Sequence, residues 1–232
     1  MNDRVTTLDN RVGYGQALPS VERNRVLRNT YWLLALSMVP TVLGAWVGVA
    51  TGVGLALHGG LALMVFLGGA FAFMYAIEKT KNSAVGVPVL LAFTFFMGVM
   101  LSGLIARILG FGNGAMLIMT AFAGTAGVFF AMATAATFVK RDLSGMGKFL
   151  MVGMVMIFVG AIINIFVGSS VMMMVIAVAA IGIFSALMLY DIRRILDGGE
   201  TNYISATLAL YLDAFNVFQS LLMILGLTSG DD

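Results

Sequence analysis

Apolar stretches of about 20 residues, the length a helix needs to cross a hydrocarbon layer, recur along the chain with short polar interruptions. They fall at Tyr31 to Ala50, Leu55 to Ile77, Gly86 to Ala106, Ala115 to Val139, Phe149 to Val167, Ser170 to Tyr190 and Tyr203 to Leu225. This pattern predicts an all-α polytopic membrane protein, a bundle of seven transmembrane helices. Two interruptions, Thr51 to Gly54 and Gly168, are so brief that each demands a tight turn. Small residues four apart, as in Gly68, Ala72 and Ala76 or Gly127, Ala131 and Ala135, are expected to let helix backbones approach. Pro40 should kink the first span, whereas Pro88 sits in the first turn of the third, where its missing N–H is harmless.

Charge fixes the expected orientation, because Lys and Arg in short loops stay on the cytoplasmic side. Arg4, Arg11, Arg23, Arg25 and Arg28 precede the first span. Lys79 and Lys81, then Lys140, Arg141 and Lys148, then Arg193 and Arg194 occupy alternate breaks. Of the 13 cations, only Arg107 falls on the other side, and Asp231 and Asp232 close the chain. The N-terminus is therefore expected in the cytoplasm and the C-terminus outside. Residues 1–29 read as a mobile cytoplasmic tail, 30–227 as the seven-helix domain and 228–232 as a short outer tail. The first span is of full length and lacks a small-residue cleavage site, so it reads as an uncleaved span and not a signal peptide.

Composition narrows the chemistry. The chain is 60% hydrophobic and only 10% charged, too few charges to cover a water-facing domain of this size. Its net charge of +2 reflects topology and not nucleic-acid binding. With no cysteine, disulfides, thiolate metal sites and cysteine nucleophiles are excluded. His58 is the only histidine, which excludes multi-histidine zinc sites. It is expected at the outer end of the second span as an interfacial hydrogen-bonding residue. The 18 methionines read as gap-fillers of a helical core in preference to a metal-binding array.

A charged carboxylate at mid-span costs about 2.5 to 3.5 kcal/mol on insertion scales, so an intramembrane aspartate is a candidate functional group. Asp213 stands about ten residues into the last span, roughly 15 Å along its axis. At about 100° per residue, Asn202, Ala206, Ala209, Asp213, Asn216 and Ser220 share one small, polar stripe. Such a stripe should face protein, which makes the last helix the expected central one. Asp213 reads either as a protonated packing residue or as half of a carboxylate pair with Asp191 at the end of the sixth span. Depth weighs against that pairing, since Asp191 falls near the interface and Asp213 near the midplane. Arg193 and Arg194 are alternative partners for Asp191. Glu78 with Lys79, and Arg107, read as interface anchors, and Asn164 as a residue that hydrogen-bonds across helices or lines a pathway. An intramembrane aspartyl protease would need Gly-x-Gly-Asp on the second helix. Leu210, Tyr211 and Leu212 precede Asp213, and the chain is expected not to be an enzyme.

The strings Val26-Leu-Arg-Asn-Thr-Tyr-Trp-Leu-Leu and Gly198-Gly-Glu-Thr-Asn-Tyr-Ile-Ser-Ala-Thr-Leu-Ala-Leu-Tyr-Leu-Asp-Ala-Phe-Asn-Val-Phe-Gln-Ser-Leu-Leu-Met-Ile-Leu-Gly resemble the Bax inhibitor-1 family, and more narrowly its bacterial YccA-like branch. The resemblance runs from about residue 22 to residue 226. It implies seven helices with the last one central, and a pH-sensing aspartate pair matched by Tyr190-Asp191 and Leu212-Asp213. In relatives, separating such a pair is associated with a pH-gated calcium leak, so calcium is the ion implied near Asp191 and Asp213. No other metal and no cofactor is implied. Many members continue the first motif with Thr and Gln, where this chain has Ile192 and Arg193. The YccA-like branch implies an inner-membrane protein that binds and modulates the membrane AAA protease FtsH, with the N-terminal tail as a handle.

Overall fold

The computed structural model describes residues 20–57, 59–139 and 143–229. Among them are α1 (Ser20–Thr51), a single turn α2 (Val53–Ala56), α3 (Gly59–Thr80), α4 (Gly86–Leu109), α5 (Gly114–Phe138), α6 (Ser144–Val167), α7 (Ser170–Leu196) and α8 (Tyr203–Ser229). All but α2 are long and apolar enough to cross a membrane, which gives seven spans. Their outward faces carry large apolar side chains such as Trp32, Phe71, Phe130, Phe149 and Phe166, the surface hydrocarbon solvates.

The tight turn expected at Gly168 is present, whereas the one expected at Thr51 to Gly54 is replaced by a longer connection that holds α2 and ends at Gly59. Gly52, with φ of 71°, ends α1, and Gly168, with φ of 68°, ends α6. Both adopt the left-handed conformation that costs glycine least. Ser169 then caps α7 by accepting the Met172 N–H at 3.2 Å. Asn164 serves the same turn, its Oδ1 accepting the Ser169 N–H at 3.1 Å, instead of bonding across the bundle.

Several boundaries differ from expectation: the second span begins at Gly59 and not Leu55, and the fifth at Ser144 and not Phe149. The first helix begins at Ser20, so the tail boundary at 29 lies inside α1. Val26 and Leu27 pack against the core, and that burial extends the helix beyond its apolar run. The sixth span continues past Tyr190 to Leu196, because Ile192 and Ile195 are buried there on either side of Arg193 and Arg194. The last helix runs to Ser229, beyond the boundary at 227. Residues 1–19, His58, Lys140, Arg141 and the closing aspartates lie outside the described residues.

The close helix contact is α1 against α4, and its glycines are not those of the two stripes singled out above. A Cβ on Gly44 would stand 2.1 Å from the Phe95 carbonyl oxygen, and one on Gly98 would stand 2.0 Å from that of Thr41. Gly68 and Gly127 would meet nothing within 4 Å, and both lie on the outer surface. Periodicity finds small-residue stripes but cannot say which face is turned inward.

Helix α8 is the least apolar of the seven spans, with a mean hydropathy of 1.7, and has the largest buried share, 44%. It packs against α1, α3, α4, α5 and α7. Tyr211 is fully buried there, with its ring against Phe93 and Phe215. Its hydroxyl meets the Thr41 hydroxyl at 2.9 Å and donates to the Thr94 carbonyl at 3.4 Å, tying α8 to α1 and α4.

Candidate functional site

The site is built where α7 and α8 lie side by side. The connection from Asp197 to Asn202 is closed by backbone bonds that cap α7. Asp197 N–H donates to the Arg193 carbonyl, Gly198 N–H to that of Ile195 and Gly199 N–H to that of Arg194, at 2.9, 3.1 and 2.9 Å. Gly198 takes the left-handed φ of 79° that this reversal requires. Asn202 starts α8: its Oδ1 accepts the N–H groups of Ile204 and Ser205 at 2.9 and 3.1 Å. Its amide donates to the Lys81 carbonyl at 3.1 Å and the Asn82 side chain at 2.8 Å, fastening α8 to the α3–α4 loop.

Antiparallel packing brings Asp191 of α7 and Asp213 of α8 within interaction distance of each other. The depth objection fails because α7 does not end at Tyr190: Asp191 lies a turn and a half inside it, deeper than the apolar run suggested. Asp213 is only 4% exposed, and its Oδ2 is sealed without a hydrogen-bond partner among the described residues. Two carboxyl groups so placed cannot both ionise cheaply.

The arginines do not take Asp191 as an ion-pair partner. Arg193 pairs with Asp197 at 2.8 Å and donates to the Ala136 carbonyl of α5 at 3.4 Å. Turned this way, it closes the end of α5 and not the aspartate site. Arg194 pairs more loosely with Glu200, at 3.7 Å, while its charge still reaches Asp191. Asp191, Arg194, Ile195, Glu200, Ser205, Ala206 and Ala209 line a cavity of about 200 Å³ at this end of the bundle.

The rest of the polar stripe divides by role. Asn202 is a cap and tether, and Asn216 donates to the Leu212 carbonyl of its own helix at 2.7 Å. Ser220 is buried beyond Asp213. Glu78 pairs with Lys81 at 2.5 Å rather than with Lys79, whose ammonium lies over the Tyr75 ring at 5.9 Å. Arg107 is exposed in the last turn of α4. Sequence reading passed over Glu200, which the loop folds onto the cavity, and Tyr211, a polar group in a run of apolar ones whose partners are remote in sequence. Among the described residues no group of three or more histidine, cysteine, aspartate or glutamate side chains gathers to hold a metal.

Fold and site together define a seven-helix membrane protein with a buried carboxyl pair between its last two helices. The family model described as "Inhibitor of apoptosis-promoting Bax1" matches residues 23–230. The chain is 36% identical over 208 residues to the Modulator of FtsH protease YccA of Escherichia coli K12, covering 90% of this chain and 92% of that protein. It is 36% identical over 213 residues to a membrane protein of Vibrio cholerae (92% and 94%) and 33% identical over 222 residues to protein NMA0420 of Neisseria meningitidis (94% and 98%). The chain belongs to the Bax inhibitor-1 family.

Proposed function

We propose that the protein is an inner-membrane regulator, not an enzyme, that binds the FtsH protease and moderates its action on membrane substrates. The observation that carries this reading is the near full-length match to a relative named a modulator of that protease. The expected topology places residues 1–19 in the cytoplasm, as a handle for a cytoplasmic protease domain. The test is co-purification of FtsH with the full chain and with a chain lacking residues 1–19, alongside the decay rate of an FtsH membrane substrate. The reading requires co-purification and slowed decay with the full chain, and loss of both on deletion. Absence of FtsH from the full-chain preparation, with unchanged decay, overturns it.

A second reading, that of a pH-gated calcium leak, is favoured by one feature: Asp191 both faces Asp213 and lines a cavity at the loop end of the bundle. Loss of the shared proton sets two like charges against each other and drives α7 and α8 apart. Calcium flux into vesicles should then rise from acid to neutral pH. The two readings are compatible.

A further inference from the structure

The cavity beside Asp191 has a built mouth. Arg194 and Glu200 stand on opposite sides of the α7–α8 turn and both line the cavity, with their ion pair at 3.7 Å. Each is held from behind. Glu200 Oε1 accepts the Asn202 N–H at 2.9 Å, which orients the carboxylate while leaving Oε2 for the guanidinium. Gly199, whose N–H bonds to the Arg194 carbonyl, leaves room for the arginine stem: a Cβ there would approach Arg194 Cγ to 3.2 Å. Arg194 is half-exposed and Glu200 mostly covered, at 49% and 21%, so the pair spans the boundary between solvent and cavity. The neighbouring arginine is committed elsewhere, to Asp197 and Ala136. Lys81, on the loop that Asn202 grips, is paired with Glu78.

We propose that Arg194, held by Glu200, is the charge filter of this cavity and bars cations from Asp191 until it swings aside. A guanidinium at the entrance repels an approaching cation, and its release from Glu200 would uncover two carboxylates, Glu200 and Asp191, along one wall. The geometry of the turn makes this motion local: Gly198 and Gly199 adjoin the pair, and neither helix need unwind. The inference rests on the cation reading of Asp191 and Asp213, but its test reads access and not flux.

The chain has no cysteine, so a single one can report from the cavity. Ala209, on the cavity wall one turn before Asp213, is changed to Cys in the full chain. Its rate of modification is measured in detergent with methanethiosulfonate reagents of similar size carrying an ammonium or a sulfonate. Adding Arg194→Gln should speed the cationic reagent by about tenfold, the order of effect of one unit charge some 10 Å away at an effective dielectric near 20. The anionic reagent should not gain. Equal acceleration of both reagents by Arg194→Gln would show loosened packing, and unchanged rates would show an open mouth; either overturns the filter. If the Ala209→Cys chain does not fold, Ser205→Cys on the same wall replaces it with the same expectations. A positive result here with no calcium flux in vesicles would keep the filter and sink the leak.

Discussion

The hydroxyls of Thr41 and Tyr211 meet at 2.9 Å, although 170 residues separate them. Tyr211 is two positions from Asp213, about 200° around the helix, so α8 is held to α1 and α4 by one face while it presents its acid to α7 by the other. Tyr211→Phe keeps the ring and removes the hydroxyl. Interhelical hydrogen bonds in membranes are worth about 0.6 kcal/mol on average and rarely more than about 1.7. A small loss of stability in that range is expected in a denaturant titration in detergent; an unchanged midpoint would show the bond to be idle.

The glycines of the α1–α4 contact give a sharper contrast. Gly98→Ala forces a methyl to 2.0 Å from the Thr41 carbonyl, and overpacking of this kind costs about 1 to 3 kcal/mol or more. Gly127→Ala has open space and should be neutral or stabilising by up to about 1 kcal/mol, since alanine is the better helix former. Thermal unfolding of the two variants in one detergent checks this, and equal midpoints would contradict the packing described.

Asn202→Ala should cost about 1 kcal/mol as a lost helix cap and also free the loop at Lys81 and Asn82. Proteolysis of that loop in purified protein should accelerate in the variant and stay slow for Asn216→Ala, whose amide bonds only within its own helix.

Much of this architecture was legible in the residues themselves, for identifiable reasons. Hydrocarbon demands long apolar helices, so the seven spans and the turn glycines Gly52 and Gly168 stand out in the pattern. The end of α7 did not, because Asp191, Arg193 and Arg194 look like the close of an apolar run. Only the burial of Ile192 and Ile195 on a neighbouring helix carries it on. That error is what made the Asp191 and Asp213 pair seem too far apart in depth. Asn202 looked like part of a functional stripe because helical periodicity places it below Asp213, whereas its position just ahead of the helix makes it a cap. Which arginine faces the cavity depends on a loop whose course is set by Gly198, and adjacent identical residues give no sign of it.

Replacing Asp213 by Asn should abolish any pH dependence of calcium flux in reconstituted vesicles while sparing co-purification of FtsH. Loss of the protease together with the flux would mean that the acid serves the fold and not a gate.

Whether Asp191 and Asp213 hold one proton between them is tested most directly by pH-difference infrared spectroscopy of the purified chain. A single protonated-carboxyl band is expected to disappear as pH rises, and to be displaced or lost in both Asp191→Asn and Asp213→Asn. A band that persists unshifted in Asp191→Asn would mean that Asp213 titrates alone, and would contradict the pairing.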